Sequence, residues 1–103
     1  MSLSSEQIKF LYQKVVAPLK QYDATVFLFG SRATNTNHEY SDVDLLIQAK
    51  KTEPLKAAIA EIKEILVESS FPYKVDIVLE ADIAESYREN IKSQLVGFSE
   101  LRK

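Results

Sequence analysis

An α+β fold is what this 103-residue chain predicts, with helices packed on one face of a small β-sheet and an open face bearing carboxylates. Three observations lead there. Apolar residues at helical spacing alternate along the chain with short runs of β-formers, in the order α-β-loop-β-α-β-α. Two of those runs, "DVDLLIQ" and "YKVDIVL", set apolar residues on one side of a strand and acids on the other. The length, with 46% hydrophobic and 27% charged residues, suits one domain over residues 1–103 built around a single core.

The elements follow in order. Ser4 and Gln7 read as a capping box, the serine hydroxyl and glutamine amide satisfying N–H and N-cap groups of a starting helix. Ile8, Leu11, Tyr12, Val15, Val16 and Leu19 then recur at helical spacing, and Pro18 is expected to end or kink that helix. Ala24 to Phe29 is a short buried strand. In the second strand Asp42 and Asp44 share a face, opposite Val43, Leu45 and Ile47. Thr52, Glu53 and Pro54 start a helix whose apolar stripe is Leu55, Ile59, Ile62 and Leu66, because proline's missing N–H costs nothing in a first turn. The third strand, Tyr73 to Leu79, sets Lys74 and Asp76 opposite Val75, Ile77 and Leu79. Asp82 is expected to cap a last helix carrying Ile83, Tyr87, Ile91 and Leu95, which Gly97 is placed to stop. The expected sheet thus has three strands.

Composition removes several functions. A formal charge of −2, from 13 basic and 15 acidic residues, gives no cationic footprint for a nucleic acid backbone. Without cysteine there is no disulfide framework, thiolate zinc site or thiol nucleophile. One histidine, His38, makes no His-pair metal site. No apolar run approaches the length of a membrane span and no signal peptide is evident, so the cytoplasm is the expected compartment.

The chemistry concentrates in "FLFGSRATNTNHEYSDVDLLI", Phe27 to Ile47. A strand runs into Gly30-Ser31, ten residues pass, and Asp42-Val43-Asp44 opens the next strand, with Asp76 on the third. Glycine lets backbone N–H groups approach a polyphosphate, and the Ser31 hydroxyl adds a donor. Two carboxylates on one strand face suit divalent ions, and Mg²⁺ takes one or two carboxylates plus phosphate oxygens. A third carboxylate can complete a two-metal site or take a proton from an attacking hydroxyl. Arg32 offers a rigid donor fork for phosphate charge. The remaining residues read blandly. His38 is a solvated loop residue, Tyr40 packs at a strand edge, and Asn35 and Asn37 favour turns. Tyr87 reads as a core aromatic and Arg88 as a helix-surface base.

This pattern resembles the signature of the DNA polymerase β-like nucleotidyltransferases. More narrowly, "LFGSRA", "SDVDLLI", "KVDIVL" and "YRENI" are similar to the minimal nucleotidyltransferases, over roughly Ala24 to Ile91. The resemblance implies a nucleotidyltransferase-like fold with a mixed sheet. It also implies a two-metal Mg²⁺ site on Asp42, Asp44 and Asp76, and a nucleotide turn at Gly30, Ser31 and Arg32. Its further implications are AMP transfer from ATP to a hydroxyl and a HEPN-domain protein as partner, of antitoxin type, with either a homo- or a hetero-oligomer open. The loop "ATNTNHEY" lacks the second glycine frequent in relatives. Two other readings stay open: a catalytically vestigial subunit that neutralises a partner, and transfer to a small acceptor such as an aminoglycoside.

Overall fold

The computed structural model describes residues 3–34 and 41–98. Asn35, Asn37, His38 and Tyr40 lie outside the described residues, so their reading as loop and edge positions is not addressed. Chain order is α1 (Ser5–Leu11), a π-helical turn (Tyr12–Val16), α2 (Ala17–Leu19), β1 (Thr25–Phe29), α3 (Ser31–Thr34), β2 (Val43–Gln48), α4 (Glu53–Glu68), β3 (Val75–Leu79), α5 (Glu85–Lys92) and β4 (Val96–Gly97).

The capping box forms as expected, with Gln7 N–H donating to Ser4 Oγ at 3.1 Å and Ser4 N–H donating to Gln7 Oε1 at 2.9 Å. As expected, the α-helix ends at Leu19, one residue after Pro18. The turn before it widens, so that the Ala17 N–H reaches back to the Tyr12 carbonyl, and the proline is absorbed in a π-bulge. A 3₁₀ turn over Lys20–Tyr22 then closes on Asp23, whose φ of 55° turns the chain toward β1.

Among the described residues the sheet has four strands, not three, in the order β3-β2-β1-β4. β2 pairs antiparallel with β1 and parallel with β3, the latter reached over the α4 crossover. Val26, Leu28, Val43, Leu45, Ile47, Ile77 and Leu79 all point into one core with Leu11, Val15, Leu19 and the Leu55, Ile59, Ile62, Leu66 stripe of α4. Of these, Leu11, Leu19, Leu28, Leu45, Ile47 and Leu55 are fully buried. At about 1.5–3 kcal/mol for each buried large aliphatic, this face dominates the fold. It fixes which residues of β2 and β3 look the other way.

The opposite face is not uniformly open. Leu46, which shares it with Asp44, is only 1% exposed and stands outside the main core cluster. The end of the chain also departs from expectation. The helix expected there, α5, stops at Lys92, its N-cap is Ala84 with no side-chain cap, and Asp82 sits in a preceding 3₁₀ turn. α5 contains no buried residue, and Tyr87 is 64% exposed, not a core aromatic. Arg88 is half-buried and braces the helix start through Nε to the Ile83 carbonyl, at 3.2 Å. Beyond the helix, Val96 and Gly97 pair with Leu28 and Phe27, and Phe98 is buried in the core. Covering the free edge of β1 and burying a phenylalanine outweighs extending a strongly polar helix.

Candidate active site

The register of β2 on β3 sets Asp44 directly opposite Asp76. Cross-strand partners in this position share a face, with Cβ atoms about 5 Å apart. Asp42 lies two residues before Asp44 and so on the same side. On the other flank, Phe29 ends β1 opposite Asp44, and the next residue is Gly30.

Here a side chain would be strained and crowded. The φ of Gly30 is +77°, and a Cβ placed on it would lie 2.5 Å from Asp44 Oδ2. The Gly-Ser turn and the Asp-x-Asp strand therefore meet at one place: the turn backbone rests against the carboxylate. The Gly30 carbonyl accepts from Ala33 and Thr34 N–H at 3.1 and 3.2 Å, which starts α3 and orients Ser31 beside it. The Gly30 N–H donates to Gln94 Oε1 at 3.2 Å. Sequence reading missed Gln94, and no local spacing could have found it, since 64 residues separate the pair.

Arg32 is 1% exposed. Its Nε and a terminal nitrogen donate to the Ser41 carbonyl at 3.0 and 2.8 Å, a two-pronged hold on the residue before Asp42. Its guanidinium also lies 4.0 Å from the centre of the Tyr73 ring. Tyr73 packs edge-on against Phe71, and Phe71 stacks on Phe10 of α1. An aromatic ladder thus runs from the first helix to the residue that anchors the Asp-x-Asp strand. The sequence suggested a phosphate-facing Arg32; the side chain is buried, with its fork turned to the protein backbone.

The carboxylates bear on one another. Burial pushes the Asp44 carboxyl above its ordinary value, and the charges of Asp76 and Asp42 push it further in the same direction. Lys74 Nζ stands 3.8 Å from Asp76 Oδ1, an exposed contact that partly offsets the repulsion. Among the described residues no three acids or histidines form a ready-made metal cage. The arrangement instead crowds negative charge at an accessible edge beside a backbone turn, which suits a cation arriving with its own phosphate ligands.

This fold and site define a nucleotidyltransferase. A family profile described as the nucleotidyltransferase domain matches residues 6–97, and the chain belongs to that family. It is 35% identical over 107 residues to a Haemophilus influenzae protein named as the protein adenylyltransferase MntA, covering 100% of this chain and 88% of that one. A solved structure described as a minimal nucleotidyltransferase superposes with a TM-score of 0.68 at 27% identity, covering 91% of this chain and 95% of the other. A second, a toxin-antitoxin crystal structure with AMP-PNP, matches in fold with a TM-score of 0.64 at 24% identity, over 84% of this chain and 70% of that one. With the four-stranded mixed sheet, these place the chain among the minimal nucleotidyltransferases of the polymerase β-like superfamily.

Proposed function

We propose that the protein transfers AMP from ATP, with Mg²⁺, to a hydroxyl on a partner protein. The observation that carries this is the pairing of Asp44 with Asp76 beneath the Gly30 turn. The turn would bring Ser31 to the leaving phosphates, Gly30 admitting their close approach while its N–H is held by Gln94, and Arg32 contributes by holding Ser41 and thereby the approach of Asp42. Asp42 and Asp44 would hold the metal, with Asp76 completing the set. When bound, Mg²⁺ neutralises phosphate charge and makes the α-phosphorus a better electrophile.

The acceptor oxygen forms a bond to the α-phosphorus as the bond to the pyrophosphate oxygen breaks. Its proton passes to the Asp76 carboxylate, which is 45% exposed and so within reach of an incoming hydroxyl. A protein acceptor is supported by the net charge of −2, and by the name of the Haemophilus influenzae relative as a protein adenylyltransferase. The motif resemblance directs the choice of partner to a HEPN-domain protein. We place the reaction in the cytoplasm, where ATP is at hand; no described helix is long and apolar enough to cross a membrane.

The test incubates the protein with α-labelled ATP, Mg²⁺ and the product of the neighbouring gene, and separately with a mixed RNA pool. Label on the protein partner is expected. Label on RNA and never on protein would overturn the reading.

A further inference from the structure

Among the described residues β3 is the outer strand of the sheet, and none of them pairs with its far side. The Val43 N–H donates to the Lys74 carbonyl at 2.8 Å, which fixes the phase of the β2–β3 ladder. By alternation, the N–H and C=O groups of Val75, Ile77 and Leu79 point outward, away from β2. No proline, bulge or charged side chain at those three positions guards this edge, as unpaired edges usually require.

Two clefts of about 450 and 380 Å³ lie along the same edge in the trough between β3 and α4, and Lys63 lines both. The α4 wall of this trough carries an exposed helical row, Lys56, Ala60, Lys63 and Val67, with Val67 at 84%, above the buried Ile59 and Leu66. Across it stands Val78, 36% exposed. No glutamate of α4 lines either cleft, and Lys74 adds a third cation at the end nearest the site. Two acids also line the trough, Asp76, paired with Lys74, at one end and Asp82 at the other, so the excess of positive charge lies along α4 at Lys56 and Lys63, beside an apolar strand edge.

We propose that this edge receives an extended, acidic segment of the acceptor protein, which adds to the sheet as a fifth strand against β3. The proposal rests on the reading of the protein as one that modifies a protein hydroxyl. Main-chain bonds to Val75, Ile77 and Leu79 hold the segment in register, and the side chain set opposite Asp76 shares its face. A tyrosine or serine there presents its hydroxyl to the carboxylates. The residues immediately before and after it point the other way, toward Lys56, Lys63 and Val67, where acidic and apolar side chains fit. The recognised sequence is therefore a hydroxyl residue flanked at alternate positions by acids and aliphatics.

The experiment uses the full chain and the protein it labels. Lys63→Glu and Val67→Glu change exposed positions on α4, so the fold and the KM for ATP stay as in wild type. Each should raise the KM for the acceptor protein by about tenfold or more. Hydrogen exchange supplies the second readout. The amides of Val75 and Ile77 exchange quickly in the free protein and slow by about tenfold or more in the complex. Wild-type acceptor KM in both variants, or unchanged exchange at Val75 and Ile77 in the complex, would overturn the proposal while leaving protein modification intact. Protection that grows with the concentration of this chain alone would give the edge to a second copy, and equally overturn it. If wild type labels no protein, the functional reading itself fails and this inference falls with it.

Discussion

Gly30→Ala separates the cost of folding from the cost of chemistry. The new methyl group meets two penalties. The backbone stays at φ +77°, where a side chain costs about 1–2 kcal/mol, equivalent to a fall of roughly 4–16 °C in Tm for a domain of this size. The Cβ would also lie 2.5 Å from Asp44 Oδ2, about 0.9 Å inside the 3.4 Å at which ordinary contact begins. That oxygen is the end of a side chain, so it can rotate aside at little cost to the fold. It cannot do so and remain where the site needs it. A displacement near 1 Å in a reacting group costs about 10²-fold in rate. The assay is transfer from labelled ATP together with thermal unfolding. Gly30→Asn is the control, because asparagine tolerates positive φ and should recover much of the stability, but none of the activity. If Gly30→Asn or Gly30→Ala transfers within about threefold of wild type, the close approach of turn to carboxylate has no part in the reaction, against the magnitude argued here.

Replacing Asp42 and Asp44 together by Asn should abolish Mg²⁺-dependent ATP binding with the fold intact, as read by calorimetry at saturating Mg²⁺. Asp76→Ala should lower transfer by about 10² to 10⁴ while ATP affinity moves by less than about tenfold. Asp44→Asn alone should stabilise the metal-free protein at neutral pH. The folded-state pKa of Asp44 is raised, so the native state binds more protons than the unfolded one between the ordinary value of 3.8 and that raised value, and stability falls as pH rises through this window. The gain from Asn should therefore vanish below about pH 3.8, which denaturant titrations across pH can check. Arg32→Leu should cost about 1–3 kcal/mol by leaving the Ser41 carbonyl without its buried donors, measured by the same titrations.

The site was legible where chemistry and parity coincide. Asp42, Asp44 and Asp76 alternate with the apolar residues that the core claims, so burying Val43, Leu45 and Ile77 turns the acids to the other face. Pairing Gly30-Ser31 with Asp-x-Asp suggested that the two lie together, and they do: a Cβ built on Gly30 would fall 2.5 Å from Asp44 Oδ2. Long-range features were invisible. Nothing local ties Gln94 to Gly30 or turns Arg32 inward onto Tyr73. The C-terminal segment misled because Leu95 continues the helical spacing from Ile91, whereas the open edge of β1 offers Val96 and Gly97 a better partner. Pro18 was legible: the turn before it widens into a π-bulge and the α-helix ends one residue after it.

The parallel join between β2 and β3 has a consequence for how such a protein can change over generations. The connection between them, from Ala49 to Lys74, carries α4 and none of the three site carboxylates. It can lengthen or shorten by whole helical turns so long as Val75 still lands opposite Val43. Within the strand there is no such latitude. One residue gained or lost between Val75 and Asp76 would send the acid into the core and an aliphatic into the site, because strand sides alternate. Drift in loop and helix length should therefore be common among descendants of this chain, and a single-residue insertion in β3 should read as the loss of its catalysis.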